Sequence, residues 1–143
     1  MGTGTLSGGV ATFSATTLPA GKQTIKAVYP GDVNFATSTS GPFVQTVAKA
    51  TTTTSLTSSQ DPSAYGQSVT FTAAVAPQFM GTPTGAVAFY NGATKLGTVT
   101  LNNGMAAYTT SKLAVGSAII TAQYLGFGSF LTSTSAPLTQ VVN

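Results

Sequence analysis

The sequence contains one long pattern twice, and the first copy covers only half of it. Residues 1–47 align without a gap on residues 96–142, at a constant offset of 95 positions, and 20 of the 47 aligned positions are identical. The identical pairs include Thr5-Leu6 with Thr100-Leu101, Gly9 with Gly104, Leu18 with Leu113, Gly21 with Gly116, Ile25 with Ile120, Tyr29 with Tyr124 and Gln45 with Gln140. Because such a period indicates a tandem array of modules, we predict one complete domain, residues 49–143, preceded by the C-terminal half of another, residues 1–48.

The composition favours β-structure and excludes several kinds of catalytic chemistry. Hydrophobic residues make up 42% of the chain and charged residues only 5%, against roughly 25% charged residues in ordinary soluble domains. Abundant Thr and Val suit β-strands. The chain has no Cys, His, Glu or Arg, so disulfides, thiol chemistry and a Ser-His-Asp arrangement are excluded.

The charge pattern and hydropathy bear on partners and location. The net charge of +3 comes from five scattered lysines, without the clustered basic residues and interleaved aromatics typical of nucleic-acid-binding proteins. We therefore expect no nucleic-acid partner. No apolar run approaches the roughly 20 residues of a membrane-spanning helix, and the first residues, Met1–Gly4, lack the features of a signal peptide. Because Met1 aligns with Leu96, we expect an internal start or an excerpt from a longer array.

Hydrophobic alternation with a period of two predicts strands throughout and no helix of useful length. In the complete copy the predicted strands are Ala50–Leu56, Ser68–Ala76, Gly85–Tyr90, Lys95–Leu101, Met105–Thr109, Ser117–Tyr124 and Leu131–Val142. The partial copy supplies only the last four, at about 2–6, 10–16, 22–30 and 37–48. Roughly seven short strands separated by turn residues are typical of an immunoglobulin-like sandwich. The predicted fold is therefore all-β: an immunoglobulin-like β-sandwich of about seven strands plus a four-strand half-repeat at the N-terminus.

Four segments of the chain resemble the bacterial Ig-like repeats of large secreted and surface proteins. These segments are Gln67–Ala73, Gly81–Tyr90, Leu96–Leu101 and Ile25–Phe35. The resemblance implies tandem β-sandwich modules that act as stalks, spacers or adhesive units, in an extracellular protein or at the bacterial cell surface. Tyr29 and Tyr124 stand where such domains carry a tyrosine corner. The second copy departs from the pattern, because Leu125–Phe130 replaces the Asp-containing segment Pro30–Phe35 of the first copy.

Asp32 and Asn34 are the candidate metal ligands. Calcium prefers six to eight oxygen ligands, and two side chains on one loop fall short of that number. The alternative is that Asp32 forms an Asx turn between two strands. We expect no required cofactor, with Ca²⁺ as the metal to consider at this loop. Asp61, the other acidic residue, is expected to begin a turn at Pro62.

Two loop aromatics, Phe79 and Phe127, are the candidates for ligand contact, with a glycan or the cell wall as the ligand. Most other aromatic residues match between the copies or alternate with polar residues, which is typical of a core. No catalytic residue is assigned. A Ser–Lys pair such as Ser111 and Lys112 is a poor candidate, because adjacent strand residues point to opposite faces.

Three classes of function stay open at this point. The favoured one is a non-enzymatic structural or adhesive module of a bacterial extracellular protein. The alternatives are a weak ester or lactone hydrolase, with a composite or metal-assisted site at a dimer interface, and a carbohydrate- or cell-wall-binding module.

A half-repeat also exposes apolar faces and unpaired edges. We therefore expect a homo-oligomer, in which two half-repeats pack around a two-fold axis or exchange strands with complete domains.

Overall fold

A computed structural model describes residues 2–143. Met1, which the repeat aligns with Leu96, lies outside the described residues. The described residues form strands, turns and loops and contain no α-helix, and hence no helix long and apolar enough to span a membrane. The chain divides into two compact units, Met1–Ala48 (unit 1) and Lys49–Asn143 (unit 2). Unit 1 is the half-repeat and unit 2 is the complete copy.

Twelve strands follow one another along the described residues. They are β1 (Gly21–Ile25), β2 (Val28–Tyr29), β3 (Ser38–Thr39), β4 (Phe43–Val47), β5 (Thr52–Ser58), β6 (Val69–Pro77), β7 (Ala86–Asn91), β8 (Thr94–Thr100), β9 (Met105–Thr110), β10 (Gly116–Tyr124), β11 (Ser133–Thr134) and β12 (Leu138–Val142). In unit 2 the predicted strand ends lie within two residues of the observed ones, with one exception. The predicted strand Leu131–Val142 is divided into β11 and β12 around Pro137, which has no N–H to donate to a ladder.

Unit 2 consists of two antiparallel sheets with the hydrophobic core between them. One sheet has the strand order β5-β6-β9, and the other has the order β11-β10-β7-β8 with β12 also paired to β10. Alternate residues of three central strands point inward and form the core: Val69, Phe71, Ala73 and Val75 of β6, Val87 and Phe89 of β7, and Ala118, Ile120, Ala122 and Tyr124 of β10. This arrangement confirms the predicted immunoglobulin-like sandwich.

Unit 1 pairs its strands in the same register as the second half of unit 2. β1 pairs antiparallel with β4, starting at Gly21 opposite Val47, and β10 pairs with β12, starting at Gly116 opposite Val142. The short β2–β3 pairing repeats the β10–β11 pairing in the same way. Adding 95 to each residue number of unit 1 gives the corresponding pair in unit 2. The repeat seen in the sequence is therefore a repeat of backbone pairing.

Two segments of unit 1, residues 2–6 and 10–16, do not form the strands predicted for them. Only an isolated bridge between Ser7 and Val10 is found there. Their counterparts β8 and β9 pair with β7 and β6, and residues 2–48 contain no counterpart of those partners. Without a ladder partner the segments have no strand to join, so this part of the prediction is wrong. The half-repeat does contain four strands, β1–β4, because the predicted strands 22–30 and 37–48 are each divided in two.

Candidate binding sites

The loop between β2 and β3 is held together by the carboxylate of Asp32. Its Oδ2 accepts a hydrogen bond from the Tyr29 hydroxyl at 2.7 Å, and its Oδ1 accepts from the backbone N–H groups of Asn34 at 2.8 Å and Phe35 at 2.9 Å. The Tyr29 hydrogen bond, and after it the one from Asn34, lowers the pKa of Asp32. The same Tyr29–Asp32 bond raises the pKa of Tyr29. Asp32 thus forms the Asx turn that the sequence offered as the alternative to a metal site.

In the part of the chain that the structure describes, the acidic residues do not come together to form a metal site. No group of three or more His, Cys, Asp or Glu side chains is found among residues 2–143. Asp61 lies in the link between β5 and β6, where its Oδ1 accepts from the backbone N–H of Val141 at 2.8 Å. Calcium at Asp32 and Asn34 stays a prediction, and binding would compete with the hydrogen bonds that Asp32 makes within its own loop.

Phe79 and Phe127 lie on two loops of unit 2 that pack against each other. The loop 78–85 follows β6, and the loop 125–132 joins β10 to β11. Gly85 has a φ of +99°, and a methyl group added there would lie only 2.8 Å from the Cβ of Phe127. Phe79 and Phe127 are 68% and 62% exposed. The structure therefore brings the two loops together and leaves both rings open to solvent, and their role in ligand contact stays a prediction.

Tyr124 anchors the end of β10 to the beginning of β7. Its hydroxyl donates to the backbone carbonyl of Thr84 at 2.7 Å, across 40 residues of sequence. A tyrosine corner closes on the backbone a few residues upstream, so the tyrosine-corner prediction is wrong for Tyr124. Burial raises the pKa of its hydroxyl. Tyr29, the counterpart in unit 1, donates to Asp32 instead, because residues 2–48 contain no counterpart of Thr84.

Gln140 is the centre of a buried polar network that the sequence analysis did not identify. The side chain is fully buried; its Nε2 donates to the backbone carbonyl of Gln60 at 2.8 Å, and its Oε1 accepts from the Ser58 hydroxyl at 2.6 Å. The counterpart Gln45 is exposed and donates to the adjacent carbonyl of Thr46 at 3.2 Å. The one available signal was that Gln occupies the same position in both copies. The network depends on the first half of the repeat.

The face of unit 1 that corresponds to the inner face of β10 is open. Ile120 and Tyr124 are fully buried in unit 2, whereas residues 25–29 are exposed or half-buried at the corresponding positions. Leu101 is 8% exposed and its counterpart Leu6 is 53% exposed. The large exposed apolar residues of unit 1 are Leu6, Val10, Phe13, Val28, Val33, Phe35, Phe43 and Val44. Leu6 is therefore exposed, and Ile25 and Tyr29 are only half-buried, at positions that build the core of unit 2.

A groove of about 840 Å³ lies on this face, and we call it the strand groove. Its two walls include residues 2–4 and 25–28, and Ala11, Phe13 and Leu18 are among its lining residues. In unit 2 the counterparts of the walls are β8 and β10, which pair with β7 from its two sides. The strand groove therefore occupies the position that β7 fills in the complete copy.

Two of the three comparisons with known proteins gave matches. A family model described as bacterial Ig-like domain (group 3) matches residues 1–48 and 56–143. Among solved structures, the fibronectin(III)-like modules of Clostridium thermocellum CbhA match with a TM-score of 0.49 and 22% sequence identity, over 62% of this chain and 93% of that chain. The comparison with curated proteins gave no match.

Proposed function

Because the chain belongs to the group 3 family of bacterial Ig-like domains, we propose that it serves as a spacer or adhesive module of a bacterial extracellular protein. Domains of this family typically occur in surface or extracellular proteins, and an Ig-like module fits a non-enzymatic structural role. The observation that supports this role best concerns the interior. Every buried side-chain N or O atom among the described residues has a hydrogen-bond partner. The buried polar groups, such as those around Gln140, therefore serve the packing of the sandwich.

A turnover assay tests the non-enzymatic part of the proposal. The full chain should leave ester and lactone substrates unchanged, with and without a chelator. Saturable turnover by a preparation purified in two independent ways would contradict the proposal. Turnover that the chelator abolishes would instead support the alternative of a metal-assisted hydrolase.

We also propose that the half-repeat associates with a second copy of the chain. The support is the open face of unit 1, since exposed apolar surface and unpaired edges favour association. Ile25 belongs to this face, because its counterpart Ile120 points into the core, whereas Val44 points to the opposite face of the small sheet. Ile25→Asp should therefore abolish association and Val44→Asp should leave it intact.

Light scattering coupled to size-exclusion chromatography measures this association. The full chain should elute as a dimer that dissociates on dilution, and residues 49–143, which contain both sheets and the core of unit 2, should elute as a monomer. A full chain that stays monomeric at high concentration would contradict self-association. A dimer that persists in residues 49–143 would place the interface outside the half-repeat and contradict it as well.

A second candidate function is glycan or cell-wall binding through Phe79 and Phe127. It is favoured by one observation, the exposure of both aromatic rings on two loops that pack together. Phe79→Ala and Phe127→Ala should each weaken retention of the protein on purified cell wall. Tyr65→Ala is the matched control, because Tyr65 is also exposed, at 71%, and lies in the link between β5 and β6. Equal effects at all three positions would indicate non-specific adsorption and contradict this function.

A further inference from the structure

The strand groove of unit 1 has the shape of a binding site for one β-strand. The geometry points to a specific ligand: a polypeptide strand with the sequence pattern of β7, from the first half of an Ig-like repeat, bound between residues 2–4 and 25–28. Binding of this kind adds a strand to an existing sheet, so that the main chain supplies affinity and alternate side chains supply specificity. This inference goes beyond self-association and does not depend on it.

The complete copy defines the register in which the ligand strand would bind. In unit 2, β10 pairs antiparallel with β7 so that Ala122 lies opposite Phe89 and Tyr124 lies opposite Val87. Ala27 is the counterpart of Ala122 at the offset of 95. The ligand's Phe would therefore lie opposite Ala27. Its N-terminal end would lie toward residue 30 and its C-terminal end toward residue 24.

Along one wall of the strand groove, backbone N–H and C=O groups point into the groove, as they do at the edge of a sheet. Ala27 directs both of its backbone groups away from the groove, since its N–H donates to the Ser40 hydroxyl at 2.9 Å and its carbonyl accepts from the Ser40 N–H at 2.9 Å. Successive strand residues direct their N–H and C=O groups to opposite edges. Lys26 and Val28, which line the groove, therefore direct theirs toward the ligand. Their counterparts in β10 lie opposite Tyr90 and Ala88 of β7.

The strand groove also contains a position at which the ligand's aromatic ring can stack. In unit 2, Phe89 is fully buried and stacks on Tyr108, with ring centroids 5.6 Å apart and an interplanar angle of 25°. Phe13 takes the place of Tyr108 in unit 1 and is 52% exposed. In both copies a glycine leaves room for the ring on which the ligand's Phe would stack. A methyl group at Gly97 would collide with the Tyr108 ring, and one at Gly2 would collide with the Phe13 ring. An incoming Phe would cover Phe13 as Phe89 covers Tyr108.

A peptide with the sequence of residues 83–93 tests the inference in solution. It contains all of β7 and should bind the full chain saturably at one peptide per chain, with NMR shift changes concentrated at residues 2–4 and 25–28. A peptide with Phe89→Ser should bind at least tenfold more weakly, because the ring that covers Phe13 is lost. Residues 49–143 serve as the matched control and should not bind, since β7 already fills their groove. Equal binding by the two peptides, or by the control chain, would overturn the inference.

A paramagnetic label tests the register. A label at the N-terminal end of the peptide should broaden the resonances near residues 28–30, and a label at the C-terminal end should broaden those near residue 25. The reverse pattern, or broadening that does not depend on the labelled end, would overturn the antiparallel register. Because the strand and a second copy compete for the same face, the peptide should convert dimers to 1:1 complexes. A dimer that binds no peptide would refute the strand site but not self-association. A monomer that binds the peptide would refute self-association but not the strand site.

Discussion

Ile25 and Ile120 provide a matched test of how differently the two copies are packed. They are the same residue type at the same position of the repeat, and they hold the same place in their strand pairings. Ile120 is fully buried in the core of unit 2, and Ile25 is only half-buried. Replacing each with Ala removes the same atoms. Any difference in the free energy of unfolding therefore reports the surroundings of the side chain.

The expected magnitude follows from the burial of each residue. Ile→Ala removes the equivalent of about three methylene groups at roughly 0.8 kcal/mol each, and the cavity left in a packed core brings the total to about 3–4 kcal/mol. We therefore expect Ile120→Ala to destabilise unit 2 by about 3 kcal/mol. A change of 1 kcal/mol shifts Tm by roughly 4–8 °C in a domain of this size, so Tm should fall by about 12–24 °C. Ile25→Ala should leave this transition unchanged.

Thermal unfolding of both variants, followed by calorimetry at several protein concentrations, measures the difference. Self-association would bury Ile25, so Ile25→Ala should affect the heat signal only at concentrations at which the full chain is a dimer. A drop in Tm for Ile25→Ala that equals the drop for Ile120→Ala, and does not depend on concentration, would refute the reasoning. That result would mean that the face of unit 1 is already covered within a single chain.

Three further predictions concern hydrogen bonds. Gln140→Ala should destabilise unit 2 by about 2–3 kcal/mol in urea titrations, because it removes several hydrogen bonds and most of a side chain from a fully buried site, whereas Gln45→Ala should change stability by less than about 0.5 kcal/mol. Tyr124→Phe should cost about 1 kcal/mol in the same assay, because the hydrogen bond from its hydroxyl to the Thr84 carbonyl is lost. The lowered pKa of Asp32 means that its stabilisation of the β2–β3 loop is complete above the ordinary carboxyl pKa and is lost as the pH falls through the lowered value. NMR shifts of the loop amides should follow that loss, and Asp32→Asn should abolish the pH dependence.

The fold of unit 2 was largely predictable because its signals are local or repeated. Alternation of apolar residues placed the strands, and turn residues placed the connections: Asn103 and Gly104 have φ values of +50° and +77°, as a tight hairpin turn requires. The fixed offset also carried information about pairing, since the same residues pair in both copies. Local chemistry and one repeat period were therefore enough to place most of the sandwich.

The polar details were not predictable, because they join residues far apart in the sequence. The hydrogen bond from Tyr124 reaches a carbonyl 40 residues upstream, and that from Gln140 reaches a carbonyl 80 residues upstream. Neither acceptor carries a side-chain signal, since a backbone carbonyl is present at every residue. The exposure of Phe79 and Phe127 was suggested by their position in loops, but the packing of those loops at Gly85 was not. Such contacts follow from the assembled sheets and not from local pattern.

The two copies also show which features of a segment depend on its own sequence and which depend on the strands beside it. The turns are set locally: Gly9 and Gly104 have φ values of +81° and +77°, and Gly21 and Gly116 have +113° and +118°, although one copy is complete and the other is not. Residues 2–6 are identical to residues 97–101 at four of five positions, yet only residues 97–100 lie in a strand, because only they have β7 beside them. The conformations of these turns therefore do not depend on a neighbouring β7. A bound β7-type strand would supply the missing ladder, and residues 2–6 should then acquire the pairing of β8.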